Sequence, residues 1–324
     1  MVTRRPVWLL LVAAALSLAS SHATPNFLVT APTPQIAKQV GEQAERYRRE
    51  KALEWIGKEM PTWGQRCPLK VKIMPGGAGG ATTFAFHEGA ILEQEMNVEG
   101  SLDRILDSVL PHEITHTVFA YHYRCPLPRW ADEGGSVLSE DDKERRRHDH
   151  LVRQSLASGR AFRLRTLLNI KDYPPSGTDV VTLYAQGYSL SRYVVEHTSR
   201  TLFLHFIGDG MRQGWDFSIK KHLGMNSVEE LEKAWLAWMR GGCRTELTSA
   251  NIPTATAPVQ GRPASRSPDQ GRTTVIRGAS PDPGREVTAG GGTNGLTIGE
   301  GWSPVGTPQS PARSSAQLQA PRLD

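Results

Sequence analysis

The sequence predicts an α+β protein in which a small N-terminal sheet is followed by a mainly helical part. Three observations lead there. Apart from one helical stretch over 33–58, short apolar or alternating runs bounded by Gly and Pro fill residues 26–96, the pattern of strands and turns. From about residue 101 to 239, apolar side chains recur at three- and four-residue intervals, the pattern of helices. The last 74 residues hold 10 of the 22 Pro, 11 of the 31 Gly and a single aromatic, Trp302. Such a stretch buries too little apolar surface to offset the entropy of ordering it. The 324 residues therefore divide into an N-terminal segment over 1–23, a folded domain over 24–245 and a disordered Pro/Gly/Ser-rich tail over 246–324.

Met1-Val-Thr-Arg4-Arg5 precedes an uncharged run, Pro6 to Ala19, rich in Leu, Ala and Val. Ser21-His22-Ala23 then sets small residues at the two positions a signal peptidase reads. The apolar run is shorter than the roughly 20 residues needed to span a bilayer. The expectation is a signal peptide removed after Ala23, no stable membrane insertion afterwards, and a secreted, periplasmic or cell-surface protein. Cys67, Cys125 and Cys243 form an odd set without C-x-x-C spacing. That excludes a cysteine zinc site or a thioredoxin-like redox centre and leaves a Cys67–Cys125 bridge open. The formal charge of +5 becomes +3 without Arg4 and Arg5, and basic and acidic side chains are interspersed, as in Glu140 to Arg147. A nucleic-acid binder needs a concentrated basic face, so nucleic acid is not an expected partner.

The folded part reads in order as follows. Asn26 to Ala31 is a strand. Thr33 caps a helix with Pro34 at its first position, and Ile36, Val40, Ala44, Leu53 and Ile56 carry that helix to about Lys58. Leu69 to Ile73 alternates apolar and cationic residues and is a half-buried strand. Pro75 to Gly80 is a hairpin loop: it lacks the phosphate-cradling G-x-x-x-x-G-K-[ST] pattern and leads into a strand where a phosphate site needs a helix. Thr82 to Phe86 and Ile91 to Met96 are strands, the second placed near a sheet edge by Glu93 and Glu95. A helix runs from Ser101 to about His122, bent by Pro111. Another starts near Arg129. The charged run at 140–150, with His148-Asp149-His150, is read as a solvated helical face. Helices over 180–197 and 201–239 follow; Asn226-Ser227 caps the last, whose Leu231, Trp235 and Trp238 form a core stripe.

Leu110-Pro111-His112-Glu113-Ile114-Thr115-His116 carries the chemistry. Two histidines four apart on a helix share a face, so both imidazoles can reach one zinc ion. Glu113 sits about 100° round the helix from His112, within reach of a water at that ion. A zinc held by two imidazoles needs a third protein ligand and one open position. After a short loop, Leu127-Pro-Arg-Trp130-Ala-Asp132-Glu133-Gly134-Gly135 offers a carboxylate on the next helix, with sixteen residues between His116 and Glu133.

H-E-x-x-H followed at this interval by W-x-x-E-G resembles the gluzincin metallopeptidases, the peptidase MA-like group. The resemblance covers roughly residues 100–240 and implies a zincin-like metallopeptidase domain. It implies one Zn2+ held by His112, His116 and Glu133, with Glu113 as general base. The implied activity is that of an exported zinc metallopeptidase, which hydrolyses a peptide or protein substrate by a zinc-activated water. Leu183-Tyr184-Ala-Gln-Gly-Tyr188-Ser-Leu-Ser-Arg-Tyr193 resembles the downstream helix on which related peptidases carry an oxyanion-stabilising tyrosine. Tyr184 is preferred to Tyr188 for that role, and Tyr193 is assigned to packing. The strand at 91–96 is a candidate for pairing with an extended substrate.

Two departures stand out. Thermolysin-like members place an Asp four residues after the glutamate ligand, where it orients the first histidine; here that position is Val137, and Asp132 or a backbone carbonyl is left to serve. The aminopeptidase-N-like G-x-M-E-N strand is also missing, which argues against a dedicated aminopeptidase. The Val137 departure keeps an alternative open, a non-catalytic zincin-like binding or scaffold protein. A zinc hydrolase of non-peptide amides is a further one.

Overall fold

A computed structural model describes residues 20–243 and the backbone of 273–276. The apolar N-terminal run and the rest of the tail expected to be disordered lie outside the described residues. β1 (Ser20–Ala23), β2 (Phe27–Ala31), α1 (Pro34–Ile56), β3 (Cys67–Ile73), β4 (Gly79–His87) and β5 (Ala90–Gly100) come first, and β6 (Thr273–Ile276) joins from within the tail. The strands form one sheet in the order β1-β2-β3-β5-β4-β6. β2, β3 and β5 run parallel, whereas β1, β4 and β6 are antiparallel to their neighbours. α1 forms as its sequence dictates: the Thr33 hydroxyl accepts from the Ile36 N–H, Pro34 opens the first turn, and Gly57, at φ 69°, closes the last.

Two sheet expectations are corrected, and one strand falls on residues assigned to the signal peptide. β5 lies between β3 and β4, not at an edge. Its acidic residues mark the solvent face of the sheet instead, where Lys70 and Lys72 of β3 pair with Glu95 and Glu99. The hairpin turn is Glu88-Gly89, both at positive φ as a two-residue type I′ turn requires. Pro75 to Ala78 merely link β3 to β4, two strands that are not adjacent, while Gly79 and Gly80 belong to β4 itself. Finally, β1 occupies residues expected to leave with the signal peptide, and pairs Ser20 with Ala31 through Ala23 with Leu28.

The second half is helical: α2 (Leu102–Arg104), a π-helical turn (Ile105–Val109), α3 (Leu110–Tyr123), α4 (Arg129–Val137), α5 (Asp142–Ala157), α6 (Leu164–Leu167), α7 (Gly177–His197), α8 (Arg200–Gln213), α9 (Trp215–Leu223) and α10 (Val228–Arg240). The wide turn before α3 receives Pro111 without ending the helix: the Leu110 N–H bonds to the Ile105 carbonyl. Ser227 caps α10, and Leu231, Trp235 and Trp238 are buried as expected. α5 departs from expectation. Its inner stripe, Glu144, His148, Val152 and Ser155, is buried rather than solvated, and burial pushes the His148 imidazole down to about 4, so it is neutral at pH 7. All three cysteines are free thiols, so the Cys67–Cys125 bridge is not formed. No helix among the described residues is long and apolar enough to cross a membrane.

Two large apolar clusters, and a small third of Phe84, Phe86 and Ala120, hold these layers. One lies between the sheet and α1, with Val29, Leu69, Met96 and Val98 against Val40 and Ala44. The other fills the helical half around Trp55, Trp130, Phe203, Phe206 and Trp235. α3 belongs to both, giving Leu110 and Ile114 to the first and Val118 and Phe119 to the second. α4 and α7 cross with almost no space between them. A Cβ on Gly134 would sit 2.3 Å from the Gly187 backbone, and one on Gly187 would sit 2.6 Å from the Trp130 carbonyl oxygen. Those backbones cannot yield as a flexible side chain would. Gly134→Ala is therefore expected to cost about 1–3 kcal/mol, the usual range for overpacking, read as a lowered midpoint in urea denaturation. An unchanged midpoint would mean the two helices separate freely.

Candidate metal centre

α3 carries His112, Glu113 and His116 inward, all buried, with one ligand atom from each lying within 4.8 Å of the others. α4 brings Glu133 up from the facing helix, also fully buried. Its Oε2 stands 3.4 Å from His112 Nε2 and 3.4 Å from His116 Nε2. Ligand atoms held roughly 2.0–2.1 Å from a tetrahedral zinc stand about 3.4 Å apart. His112 Nε2 and Glu133 Oε2 are buried and have no hydrogen-bond partner among the described residues. Buried polar atoms that meet only across such a long contact are better satisfied by a charged group between them. The donor set therefore fits a metal ion, with His112, His116 and Glu133 converging on one point.

The remaining polar atoms are occupied. His112 Nδ1 donates to Glu140 Oε1 at 2.6 Å, and the Ser108 hydroxyl donates to Glu140 Oε2 at 3.4 Å. His116 Nδ1 donates to Asp132 Oδ1 at 2.9 Å and lies 3.1 Å from Ser136 Oγ. A carboxylate on each Nδ1 fixes the proton there and turns Nε2 toward the shared point. Tyr173, in the loop before α7, donates to Glu133 Oε1 and lies under the Arg129 guanidinium, 4.6 Å from ring centroid to charge. Arg129 also approaches Asp132 at 3.7 Å. Glu113 stays within reach of the two histidines, and its Oε2 accepts the Thr82 hydroxyl of β4 at 2.6 Å. Gly79, Gly80, Arg104, Ser108 and Glu140 line a small recess that His112 and Glu113 border. Gly80 is the reason β4 comes so close, since a Cβ there would meet the Glu113 side chain at 2.7 Å.

The two carboxylates titrate in opposite directions. Burial raises the Glu113 carboxyl, against the pull of His116, His112 and Thr82. Burial opposes Glu133 too, but the His116 and His112 imidazoles hold it well below the ordinary carboxylate range. His112 is opposed by burial and lifted by Glu133 and Glu140, to about 10.

The structure brings together His112, Glu113, His116 and Glu133, which the sequence assigned to one site, and Asp132 bonds the second histidine rather than the first. The acid that orients the first histidine is Glu140, seven residues past Glu133 and beyond the end of α4. It was missed, as were Thr82, Ser108 and Tyr173, because each comes from another element with no local spacing to reveal it. Tyr184 lies buried beside the centre, its ring stacked on Tyr173 at 6.3 Å and 12°. Burial, and the nearby Glu133, push its phenol well above 10. Tyr188 turns away toward His148, and Tyr193 packs on Trp238. Compared with known proteins, the chain matches no protein-family model and no curated protein sequence.

Metal uptake at this centre must displace the proton that His112 holds up to about pH 10. Apparent zinc affinity is therefore expected to fall about tenfold for each unit that pH drops below that value, with roughly one proton released per ion bound near pH 7. Glu140→Gln, which weakens the orienting bond to Nδ1, is expected to lower the affinity about 10–100-fold. Titration calorimetry in buffers of different ionisation enthalpy measures both; no proton release, or unchanged affinity in the variant, would contradict the assignment.

Proposed function

We propose that this chain is an exported zinc-dependent metallopeptidase of gluzincin type, with a zincin-like fold. The single observation that carries the reading is the position of Glu133 Oε2, 3.4 Å from both imidazole nitrogens, while Glu113 Oε2 is taken by the Thr82 hydroxyl. In this reading His112, His116 and Glu133 hold the ion and Glu113 stays out of its ligand set. Zinc bound there would lower the pKa of water toward ~7 and polarise the scissile carbonyl.

The chain's own residues do the rest. Glu113 accepts a proton from the attacking water and passes it to the leaving amine nitrogen. Its raised carboxyl pKa matches that use, because a base that must also donate works best near the working pH. The Thr82 hydroxyl fixes which way the carboxylate points. Tyr184 keeps its proton at any physiological pH and serves as hydrogen-bond donor to the developing oxyanion, while Tyr173 clamps Glu133. The substrate class is a peptide or protein. Glu140 gives the first histidine the carboxylate that Val137 does not supply, which supports the catalytic reading over a non-catalytic scaffold.

Glu113→Gln is expected to keep stoichiometric metal and lose turnover on a peptide library. Tyr184→Phe should keep the metal and lower kcat by about 100-fold, the loss of one donor worth ~3 kcal/mol. Full activity in Glu113→Gln would overturn the mechanism. Export is part of the same proposal, but the cleavage site is refined. Cleavage after Ala23 would strip β1 from the sheet, whereas Ser17 and Ala19 put small residues at the same two peptidase positions and keep Ser20–Ala23. N-terminal sequencing of secreted material should therefore begin at Ser20; a start at Thr24 would refute this.

A further inference from the structure

We propose that the outer edge of β4 is a peptide-docking strand which the chain fills with its own tail segment, Thr273–Ile276. The proposal rests on the metallopeptidase reading only for its consequence, competition between tail and substrate.

β4 is the strand that borders the centre. One of its edges is taken by β5. On the other, β6 pairs antiparallel, with Thr83 opposite Ile276, Phe84 opposite Val275, Ala85 opposite Thr274 and Phe86 opposite Thr273. The ladder stops one residue short of Thr82, whose hydroxyl bonds Glu113. Two residues further lies Gly80, pressed against the Glu113 side chain. An extended peptide on this edge therefore runs directly toward the carboxylate that would act as base. The sequence of the occupant suits the edge. Thr273-Thr-Val-Ile276 is four consecutive β-branched residues within a stretch otherwise rich in Gly, Pro and Ser, and such residues favour a pleated strand.

Strand addition recognises a peptide chiefly through its backbone, so the same edge accepts any extended segment of tolerable side chains. A segment on the same chain has an advantage over one in solution, because its binding is intramolecular and its effective concentration can reach the order of millimolar. The tail thus acts as a tethered competitor for the strand that a substrate would use. An edge paired in this way is also shielded from pairing with other chains.

The test compares the full chain with the full chain carrying Thr274→Pro and Val275→Pro, since proline has no N–H to give a ladder. Hydrogen exchange read by mass spectrometry is expected to be about tenfold or more faster over residues 83–86 in the variant, the mark of a lost cross-strand ladder. A synthetic peptide spanning residues 270–279, added to the variant, should restore the protection, and a scrambled peptide should not. On a peptide substrate, kcat/KM should rise several-fold in the variant and fall again, competitively, when the peptide is added. Equal exchange in both proteins overturns the docking, even in an active peptidase. Faster exchange in a variant that, like the parent, cleaves nothing upholds the docking and removes the peptidase reading instead.

Discussion

His112, Glu113, His116 and Glu133 are each no more than 3% exposed, and the architecture around them answers the cost of burying four ionisable groups within one another's reach. A buried charge is tolerated only when paired and hydrogen-bonded, and removing one partner leaves the other uncompensated. Here the partners arrive from five places: Thr82 on β4, Ser108 on the π-helical turn through Glu140, Asp132 and Ser136 on α4, Glu140 in the turn after it, and Tyr173 in the loop before α7. Sheet and helices are thereby committed to one arrangement. α3 is the meeting point, since it packs into the core under the sheet with its first half and into the helical core with its second.

That arrangement separates two chemically identical side chains. Glu133, facing two imidazoles, is held ionised, whereas Glu113, buried with a hydroxyl for its partner, is drawn toward its neutral form. Two carboxylates with divergent environments are what acid–base work on a polar bond requires. In the proposed mechanism, difference in surroundings, not in residue type, would assign the roles.

The parts of this design that follow a local rule could be read from the chain. H-E-x-x-H was legible because 3.6 residues per turn put His112 and His116 on one face, and a metal held there would call for a third donor such as Glu133 on the next helix. α1 and α10 were legible through their caps, Thr33 and Ser227. What escaped depends on tertiary placement. Glu93 and Glu95 suggested an edge, but charge on a strand reports a solvated face, and β5 lies inside the sheet opposite Lys70 and Lys72. His148 stands in a run of charges, yet the helix turns it inward. The glycines at 79 and 80 looked like turn residues, whereas Gly80 is what allows a strand to approach Glu113. Pro111 suggested a bend, and the chain accommodates it with a wider turn.

The position of Glu140 has a consequence for how this chain can vary. Its carboxylate reaches His112 from the turn between α4 and α5, outside any helix. Turns of that kind ordinarily absorb insertions and deletions at little cost, because nothing downstream is tied to their length. This one cannot. On its two sides lie Glu133, fixed on α4, and Glu144 of α5, paired with Arg147 and with Arg104 of α2, so one residue added or removed would carry the carboxylate off Nδ1 while leaving both helices in place. Length, as much as identity, is then the inherited property of residues 138–141, and a change there would mark a descendant that holds its first histidine by another means.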